Sequence, residues 1–240
     1  MNNQTVLIVM PLYNSEKTVG MAIESILKQT YKDIILCIID DASTDNSYKI
    51  AKSYTKDRRV IVHRNSTNMG AYYSRNMGLF LNADKAWAYF TTHDADDISY
   101  PKRIAYLVSG MRNKRVVAVQ DTFVRKRLSD GTKIGSSLTM AHALFKRLIF
   151  EEIGYFEVVR FGADWEYWNR MNIYNAKHNV KTASVREVVG ESYIHSNNLT
   201  VQIPLGSSDR REYVSETVKK HRVILKTNNL YYDFNPKDYV

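Results

Sequence analysis

Three carboxylates stand within four positions of the segment HDADD (93–97), directly after the apolar run AWAYFTT. Neighbouring carboxylates raise the cost of ionising one another, and a packed core gains nothing from them. A bound divalent cation explains such a cluster, because hard oxygen ligands suit Mg²⁺ and Mn²⁺. The alternative is a turn with Asp97 as the N-cap of a following helix, which accounts for one carboxylate only. The spacing therefore favours Asp94 and Asp96 as metal ligands.

Two further carboxylates, Asp40 and Asp41, end a second apolar run in IIDDASTDNS (38–47). Asp40 is suited to capping the helix that follows, and Asp45 is expected in the first turn of that helix, where the helix dipole favours an anion. Asp41, at the mouth of the strand, could cap the same helix or accept a hydrogen bond from the imide N–H of a uracil. The segment by itself leaves both interpretations of Asp41 open.

The elements that position these carboxylates are predicted from the apolar runs. Four runs indicate buried strands, and the segments between them have helical periodicity. The predicted strands cover residues 5–10, 34–39, 60–63 and 86–92, with helix N-caps at Ser15 and at Ser43 or Thr44. Strands that alternate with helices predict βαβ units and a mostly parallel sheet. The functional crevice of such a sheet lies beyond the carboxyl ends of its strands, so residues 11–14, 40–41 and 94–97 are expected to converge there.

The pattern changes after about residue 114. Shorter strands are predicted there, with Asp130 and Gly131 as a hairpin turn. Helices are then predicted over 144–153 (ended by Gly154), 162–174 and 207–230. Because no linker rich in Pro, Gly or Ser interrupts the chain, we predict one domain with two functional halves. The predicted parts are a first half (1–113), a second half of the same domain (114–206) and a basic helical tail (207–240).

The composition is that of an ordinary globular protein, with 44% hydrophobic and 25% charged residues. The apolar runs are shorter than the ~18 residues of a membrane span, and the polar start lacks a signal-peptide pattern. Cys37 is the only cysteine, so an intrachain disulfide is excluded. These features together predict a cytoplasmic location.

The net charge of +9 raises the question of a nucleic-acid partner. The basic residues are scattered and no nucleic-acid motif accompanies them, so we expect no nucleic acid. Phosphorylated small molecules or an anionic membrane surface explain the same charge. The basic tail would permit peripheral contact with the inner face of a membrane, or it forms a solvated helix face. Its basic residues include Lys219, Lys220, Arg222 and Lys226.

An ordered set of segments resembles the family 2 glycosyltransferases over roughly residues 5–200. The segments are PLYNSEKT (11–18), IIDDASTDNS (38–47), NMGAYYSRNMGL (68–79), HDADD (93–97), IGYFEVVRFGADWEYWNRM (153–171) and SYIHSNNLT (192–200). The resemblance implies a GT-A fold of α/β class. This fold has a Rossmann-like, mostly parallel sheet with helices on both faces and a smaller mixed region on the acceptor side. The resemblance implies that residues 1–113 form the nucleotide-sugar-binding half and residues 114–206 the half that holds the acceptor and the catalytic base.

The resemblance also implies a role for each matching position. The residues after the first strand would line a nucleoside pocket, Asp41 would contact the uracil, and Asp164 stands where the family places its catalytic base. The implied donor-binding residues are Pro11, Tyr13, Asn14, Glu16, Asp41, Asn68, Gly70, Arg75 and Asp94, with Asn76 in the same stretch. The implied ligands of a Mn²⁺ or Mg²⁺ cofactor are Asp94, Asp96 and His195.

Three positions depart from the pattern of the family. Ala163 replaces a common glutamate before Asp164, so the assignment of the base rests on one carboxylate. Tyr193 stands two residues before His195, where the family often has an arginine that contacts phosphate. Ala42 replaces a common glycine after the carboxylate pair.

The function that the resemblance implies is inverting transfer of a hexosyl or N-acetylhexosaminyl group from a nucleotide sugar, with UDP as the expected nucleotide. The expected acceptor is a glycan or a lipid-linked glycan, in polysaccharide or glycoconjugate synthesis. A sugar nucleotidyltransferase is one alternative, but PLYNSEKT lacks the Gly-rich, basic loop that such enzymes usually carry. A catalytically silent glycan-binding module of the same fold is the other.

Overall fold

The structure is a computed structural model that describes residues 4–194, 207–227 and 229–239. Its strands form one eight-stranded sheet in the order β3-β2-β1-β4-β7-β6-β8-β5. The strands are β1 (Val6–Leu12), β2 (Ile34–Asp40), β3 (Val60–Arg64), β4 (Tyr89–Thr92), β5 (Ile98–Ser99), β6 (Val116–Arg127), β7 (Lys133–Lys146) and β8 (Lys181–Ile194). The helices are α1 (Val19–Leu27), α2 (Ser47–Ser53), α3 (Ala71–Phe80), α4 (Arg103–Gly110), α5 (Arg147–Ile153), α6 (Ala163–His178) and α7 (Ser208–Thr227), with 3₁₀ turns at Tyr54–Lys56 and Pro236–Tyr239.

The first four strands pair with one another in parallel, as predicted. β1 pairs in parallel with β2 and β4, and β2 pairs in parallel with β3. Parallel strands covered by helices are buried on both faces and therefore have continuous apolar sequences. The strands end at Leu12, Asp40, Arg64 and Thr92, so the segments that follow them lie at the same edge of the sheet.

Two apolar cores cover the two faces of the sheet. Because side chains of a strand alternate between faces, Leu7 and Val9 of β1 pack in one core, and Ile8 and Met10 pack in the other. Helices α3, α5 and α6 cover the first face, and α1, α2 and α4 cover the second. Burial of each such aliphatic side chain stabilises the fold by about 1.5–3 kcal/mol relative to exposure.

The second half of the chain extends the sheet with long strands. β6 has 12 residues, while β7 and β8 have 14 each, so the prediction of shorter strands was wrong. Register shifts interrupt the pairing of β6 with both neighbours and break up the alternation that identifies a long strand in sequence. The predicted turn at Asp130 and Gly131 joins β6 to β7, with Gly131 at φ +71°.

Two predicted helix caps were wrong. Helix α1 begins at Val19, and the carbonyl oxygen of Ser15 accepts the N–H of Val19 at 2.9 Å, so Ser15 belongs to a turn before the helix. Helix α2 begins at Ser47 rather than after Ser43 or Thr44. Both helices start later than predicted because the loops after β1 and β2 bind each other through polar side chains. These bonds hold the backbone of the two loops in a non-helical conformation.

Helix α6 is anchored by a buried ion pair. The Arg170 guanidinium is 2% exposed and donates from Nε to Glu166 Oε1 at 2.6 Å, one helical turn away. It also donates to the carbonyl oxygens of Ile153, at the end of α5, and of Tyr155. Arg170 therefore fixes the start of α6 relative to the loop that follows α5.

Helix α7 packs against the same loop. Glu157, which is buried, accepts hydrogen bonds from the Tyr213 hydroxyl at 2.9 Å and from Lys220 Nζ at 2.8 Å. The predicted basic tail is thus held to the fold on one side. Within the described ranges, no helix combines the length and the apolar composition needed to cross a bilayer.

Candidate active site

Polar side chains join the loop after β1 to the loop after β2. The Asn14 N–H donates to Ser43 Oγ at 3.1 Å, and Asn14 Oδ1 accepts the Thr44 N–H at 2.8 Å. Glu16 Oε2 accepts the Asn46 N–H at 3.0 Å. The predicted convergence of these two loops at the carboxyl edge of the sheet is therefore present, and it builds one wall of a crevice.

The backbone of this wall is strained at two positions. Asn14 has φ +44° and Ala42 has φ +61°, in the left-handed region that side chains with a Cβ atom avoid. Asparagine tolerates this region better than alanine does. The departure from glycine at position 42 therefore has a structural cost.

We expect the substitution Ala42→Gly to raise the free energy of unfolding by about 0.5–1 kcal/mol. Relief of the left-handed strain is worth about 1–2 kcal/mol, and the greater unfolded-state entropy of glycine offsets part of it. Chemical unfolding measures the change. Ala105→Gly, inside helix α4, is the matched control and should lower stability by about 1 kcal/mol. A loss of stability in both variants would show that residue 42 carries no strain.

Asp41 anchors the loop that precedes α3. Its carboxylate is 3% exposed and accepts the backbone N–H groups of Met69 (3.0 Å) and Gly70 (2.7 Å) and the side-chain amide of Asn65 (2.8 Å). Gly70, the residue before α3, has φ +93°, so the loop turns sharply at this carboxylate. Asp41 does not cap α2, so the interpretation of Asp41 as a helix cap was wrong.

Asp40 has a different role from its neighbour. It is fully buried, accepts the Ser43 N–H at 3.2 Å through Oδ2, and lies 3.3 Å from Arg64 Nε. Asp40 and Arg64 therefore stabilise the turn after β2, and Asp40 does not cap helix α2.

Helix α3 brings an arginine to the acidic loop after β4. Arg75 is 6% exposed, and its Nη2 donates to Asp94 Oδ1 at 2.6 Å. Burial raises the pKa of Asp94, but the charge of Arg75, with a smaller contribution from His142, outweighs burial and holds that pKa well below its ordinary value. Asp94 is therefore an anion at neutral pH.

The same helix face reaches the predicted base. Tyr72 lies one turn before Arg75, whose guanidinium stacks 4.9 Å from the centre of its ring. The Tyr72 hydroxyl donates to Asp164 Oδ1 at 2.7 Å. A continuous line of contacts thus joins Asp94 to Asp164 through Arg75 and Tyr72. The side chain of Asn76, the next residue of α3, donates to the carbonyl oxygen of Phe156 at 2.8 Å and accepts the Phe156 N–H at 3.0 Å. These two bonds hold the acceptor-side loop to this helix.

Asp164 lies in the first turn of α6, half-buried. The residue before the helix, Gly162, has φ +86°, and a Cβ atom there would lie 2.6 Å from the Tyr213 ring. Glycine is therefore required at this entry to α6, because the backbone is left-handed and α7 packs closely against it. Trp165 is half-buried beside His221 of α7, with ring centres 6.3 Å apart.

The acidic loop contains a cluster that the sequence did not predict. Asp97 precedes β5 and caps no helix, since α4 begins only at Arg103. Its Oδ2 lies 3.2 Å from Nε2 of His142, a residue of β7, and Asp94 Oδ2 lies 3.8 Å from the same nitrogen. Burial, together with the charges of Asp96 and Asp94, raises the pKa of Asp97 well above its ordinary value. No spacing in the sequence connects His142 with HDADD.

The remaining predicted residues fall at or near the same edge. Pro11 is the penultimate residue of β1, Tyr13 follows the strand and is 47% exposed, Asn68 is exposed, and Asp96 is half-buried. The predicted metal ligand His195 lies outside the described residues.

The sequence is similar to those of known glycosyltransferases. Glycosyltransferase GlyG of Streptococcus pneumoniae serotype 4 is 33% identical over 130 residues, which is 54% of this chain and 42% of GlyG. The Escherichia coli protein WfaP, named UDP-Glc:alpha-D-GlcNAc-diphosphoundecaprenol beta-1,3-glucosyltransferase, is 33% identical over 47% of this chain and 43% of its own length. The chain thus spans less than half the length of these curated relatives.

Solved structures share the fold at low identity. Staphylococcus aureus TarS in complex with UDP-GlcNAc matches with a TM-score of 0.71 at 15% identity, over 89% of this chain and 65% of that one. Mannosyltransferase PcManGT from Pyrobaculum calidifontis, in complex with GDP-Man and Mn²⁺, matches with a TM-score of 0.65 at 16% identity, over 84% and 60% of the two chains. The predicted GT-A fold is therefore confirmed.

The family model described as Glycosyl transferase family 2 matches residues 7–168, from β1 into helix α6. The match includes the strand ends, the loop before α3, the acidic loop and Asp164. It covers well over half of the chain. This chain belongs to glycosyl transferase family 2.

Proposed function

We propose that this chain is an inverting glycosyltransferase that moves a hexosyl or N-acetylhexosaminyl group from a UDP-sugar to a hydroxyl of a glycan or lipid-linked glycan. The observation that carries the proposal is the line of contacts from Asp94 through Arg75 and Tyr72 to Asp164. It links the acidic loop suited to a donor diphosphate with a carboxylate suited to an acceptor hydroxyl. The acidic loop would act on the leaving diphosphate, and Asp164 would act on the attacking acceptor hydroxyl. The contacts between them hold these two groups in a fixed position relative to each other.

Asp164 is the proposed general base. As the acceptor oxygen attacks the anomeric carbon, its proton passes to the Asp164 carboxylate, and the bond from that carbon to the diphosphate oxygen breaks on the opposite face. The Tyr72 hydroxyl donates a hydrogen bond to Asp164 Oδ1 at 2.7 Å, so we assign Asp164 Oδ2 as the atom that accepts the acceptor's proton. Attack from the face opposite the leaving group inverts the anomeric configuration.

The acidic loop after β4 would hold a Mn²⁺ or Mg²⁺ cofactor. Its chemistry fits such an ion: carboxylate oxygens lie beside a buried imidazole, His142, whose ring nitrogens make no hydrogen bond within the described ranges. A cation held there would act as a Lewis acid and stabilise the charge on the departing diphosphate. Asp94 belongs both to the predicted ligand set and to this cluster. Arg75, bonded to Asp94, orients that carboxylate.

Asp41 is the proposed contact for the uracil. An ionised carboxylate offers about four acceptor sites. The Asn65 amide and the N–H groups of Met69 and Gly70 make four contacts there, because the Met69 N–H is shared between Oδ1 at 3.0 Å and Oδ2 at 3.2 Å. The imide N–H of a uracil would take the place of the longer Met69 contact on Oδ2. The UDP-GlcNAc complex of TarS supports a UDP donor, and the name of WfaP supports a diphosphate-linked lipid acceptor. The PcManGT complex makes GDP the nucleotide to test against UDP.

Binding of UDP, measured by calorimetry with and without Mn²⁺, tests the donor assignment. We expect UDP to bind at least about tenfold more tightly with Mn²⁺, and GDP and ADP to bind weakly in both conditions, because the cation would neutralise the diphosphate. Tighter binding of GDP than of UDP would change the donor class. Absence of nucleotide binding in every condition would contradict the proposal and favour a silent module.

A further inference from the structure

His142 stands out among the buried polar side chains near the acidic loop. It lies on β7 and is 4% exposed, packed on Phe123 with ring centres 4.7 Å apart. Its Nε2 points at Asp97 Oδ2 (3.2 Å) and Asp94 Oδ2 (3.8 Å). An imidazole that reaches two carboxylates from another strand is placed as a third member of their cluster.

Neither ring nitrogen of His142 makes a hydrogen bond in the part of the chain that the structure describes. The contact with Asp97 is short enough for a hydrogen bond but is not aligned for one. A buried polar group without a partner destabilises the fold, because it has lost its hydrogen bonds to water and gained none in the protein. Such a group, directed at two carboxylates, indicates that a ligand belongs between them.

We propose that His142 is a ligand of the divalent cation, together with Asp94 and Asp97. The inference rests on the proposed function and deepens it, since it adds Asp97 to the ligand set and assigns the nitrogen ligand to His142 in place of His195. Neighbouring ligands of an octahedral ion with bonds of about 2.1 Å stand about 3 Å apart, and opposite ligands about 4.2 Å apart. The separations of 3.2 and 3.8 Å from His142 Nε2 lie within this range.

The imidazole also determines which cation is preferred. Mg²⁺ is bound mainly by oxygen ligands and keeps several waters, whereas imidazole nitrogen favours transition-metal ions. A site made of two carboxylates and His142 should therefore bind Mn²⁺ at least about tenfold more tightly than Mg²⁺. His142→Gln should reduce this preference to a few-fold, because its amide offers only an oxygen or a very weak nitrogen ligand.

Electron spin-echo spectroscopy of bound Mn²⁺ tests the assignment directly, because it detects the nuclear spin of a coordinated nitrogen. Protein labelled with ¹⁵N-histidine is loaded with Mn²⁺, with and without UDP. We expect ¹⁵N modulation in the wild-type chain, in His195→Asn and in the control His178→Asn, an exposed histidine of α6. We expect its loss in His142→Gln. Thermal unfolding checks that each variant is folded.

Modulation that persists in His142→Gln and disappears in His195→Asn would overturn the inference and leave the metal-dependent transferase in place. If His142→Gln does not fold, the comparison of wild type with His195→Asn still decides, since loss of the signal there assigns the nitrogen to His195. Bound Mn²⁺ without any nitrogen modulation would also overturn the inference. Failure of UDP to bind, measured by calorimetry on the same samples, would instead contradict the proposed function.

Discussion

Asp164→Asn is expected to lower sugar transfer by about 10²–10⁴-fold while the chain still binds UDP in the presence of Mn²⁺. The amide keeps the size of the side chain and can still accept the hydrogen bond from Tyr72, but it has no basic site for the acceptor proton. General bases contribute about this factor to a rate. Turnover of a panel of UDP-sugars with a glycan or diphosphate-lipid acceptor, followed by release of UDP, measures the effect.

The control for this prediction is Asp209→Asn, which makes the same chemical change in the first turn of another helix, α7, at an exposed position. It should leave turnover unchanged. Tyr72→Phe removes only the hydrogen bond to Asp164 and should have a smaller effect than Asp164→Asn. Full activity of Asp164→Asn would show that another group takes the proton.

Arg170→Met is expected to lower the free energy of unfolding by about 3–5 kcal/mol, the range observed when one partner of a buried ion pair is removed. The change leaves Glu166 buried, with His221 at 3.3 Å as its partner, and removes the bonds to the carbonyl oxygens of Ile153 and Tyr155. Chemical unfolding, with the slope checked for two-state behaviour, measures the loss.

The chain offers a matched exposed pair as the control. Arg147 and Glu151 have the same spacing on α5, at 2.8 Å, but their side chains are 31% and 52% exposed. Glu151→Gln should cost less than about 1 kcal/mol, because exposed pairs are screened by solvent. In Glu166→Leu combined with Arg170→Met the loss should be smaller than the sum of the single losses, since neither charge is then left unpaired. Equal costs at the buried and exposed pairs would contradict this role of Arg170.

The stability contributed by Glu166 should also depend on pH. Burial raises the pKa of Glu166, but His221 and Arg170 outweigh burial and hold it below the ordinary value of 4.5. A carboxylate with a lowered folded-state pKa stabilises the fold above its unfolded pKa, and this stabilisation is lost as the pH falls through the folded pKa. The difference between Glu166→Leu and the wild type should therefore shrink in acid below pH 4.5.

Much of the fold was predictable because it depends on local patterns. The apolar runs located the first four strands to within about three residues, since strands buried on both faces need continuous apolar sequence. The parallel arrangement then placed Asn14, Asp41 and Asp94 at one edge. The long strands β6–β8 were less predictable, because register shifts disturb their alternation.

The sequence by itself determined the family, the α/β class and the edge of the sheet at which the polar residues gather, because each of these depends on local patterns and on their order along the chain. Only the tertiary structure decided which side chains meet. It paired Arg75 with Asp94, joined Tyr72 to Asp164, and brought His142 from β7 to Asp97, which sequence had suggested as a helix cap. Each of these pairs joins different elements of the fold. Their proximity depends on how helices and strands pack, and it cannot be predicted from the spacing of these residues along the chain.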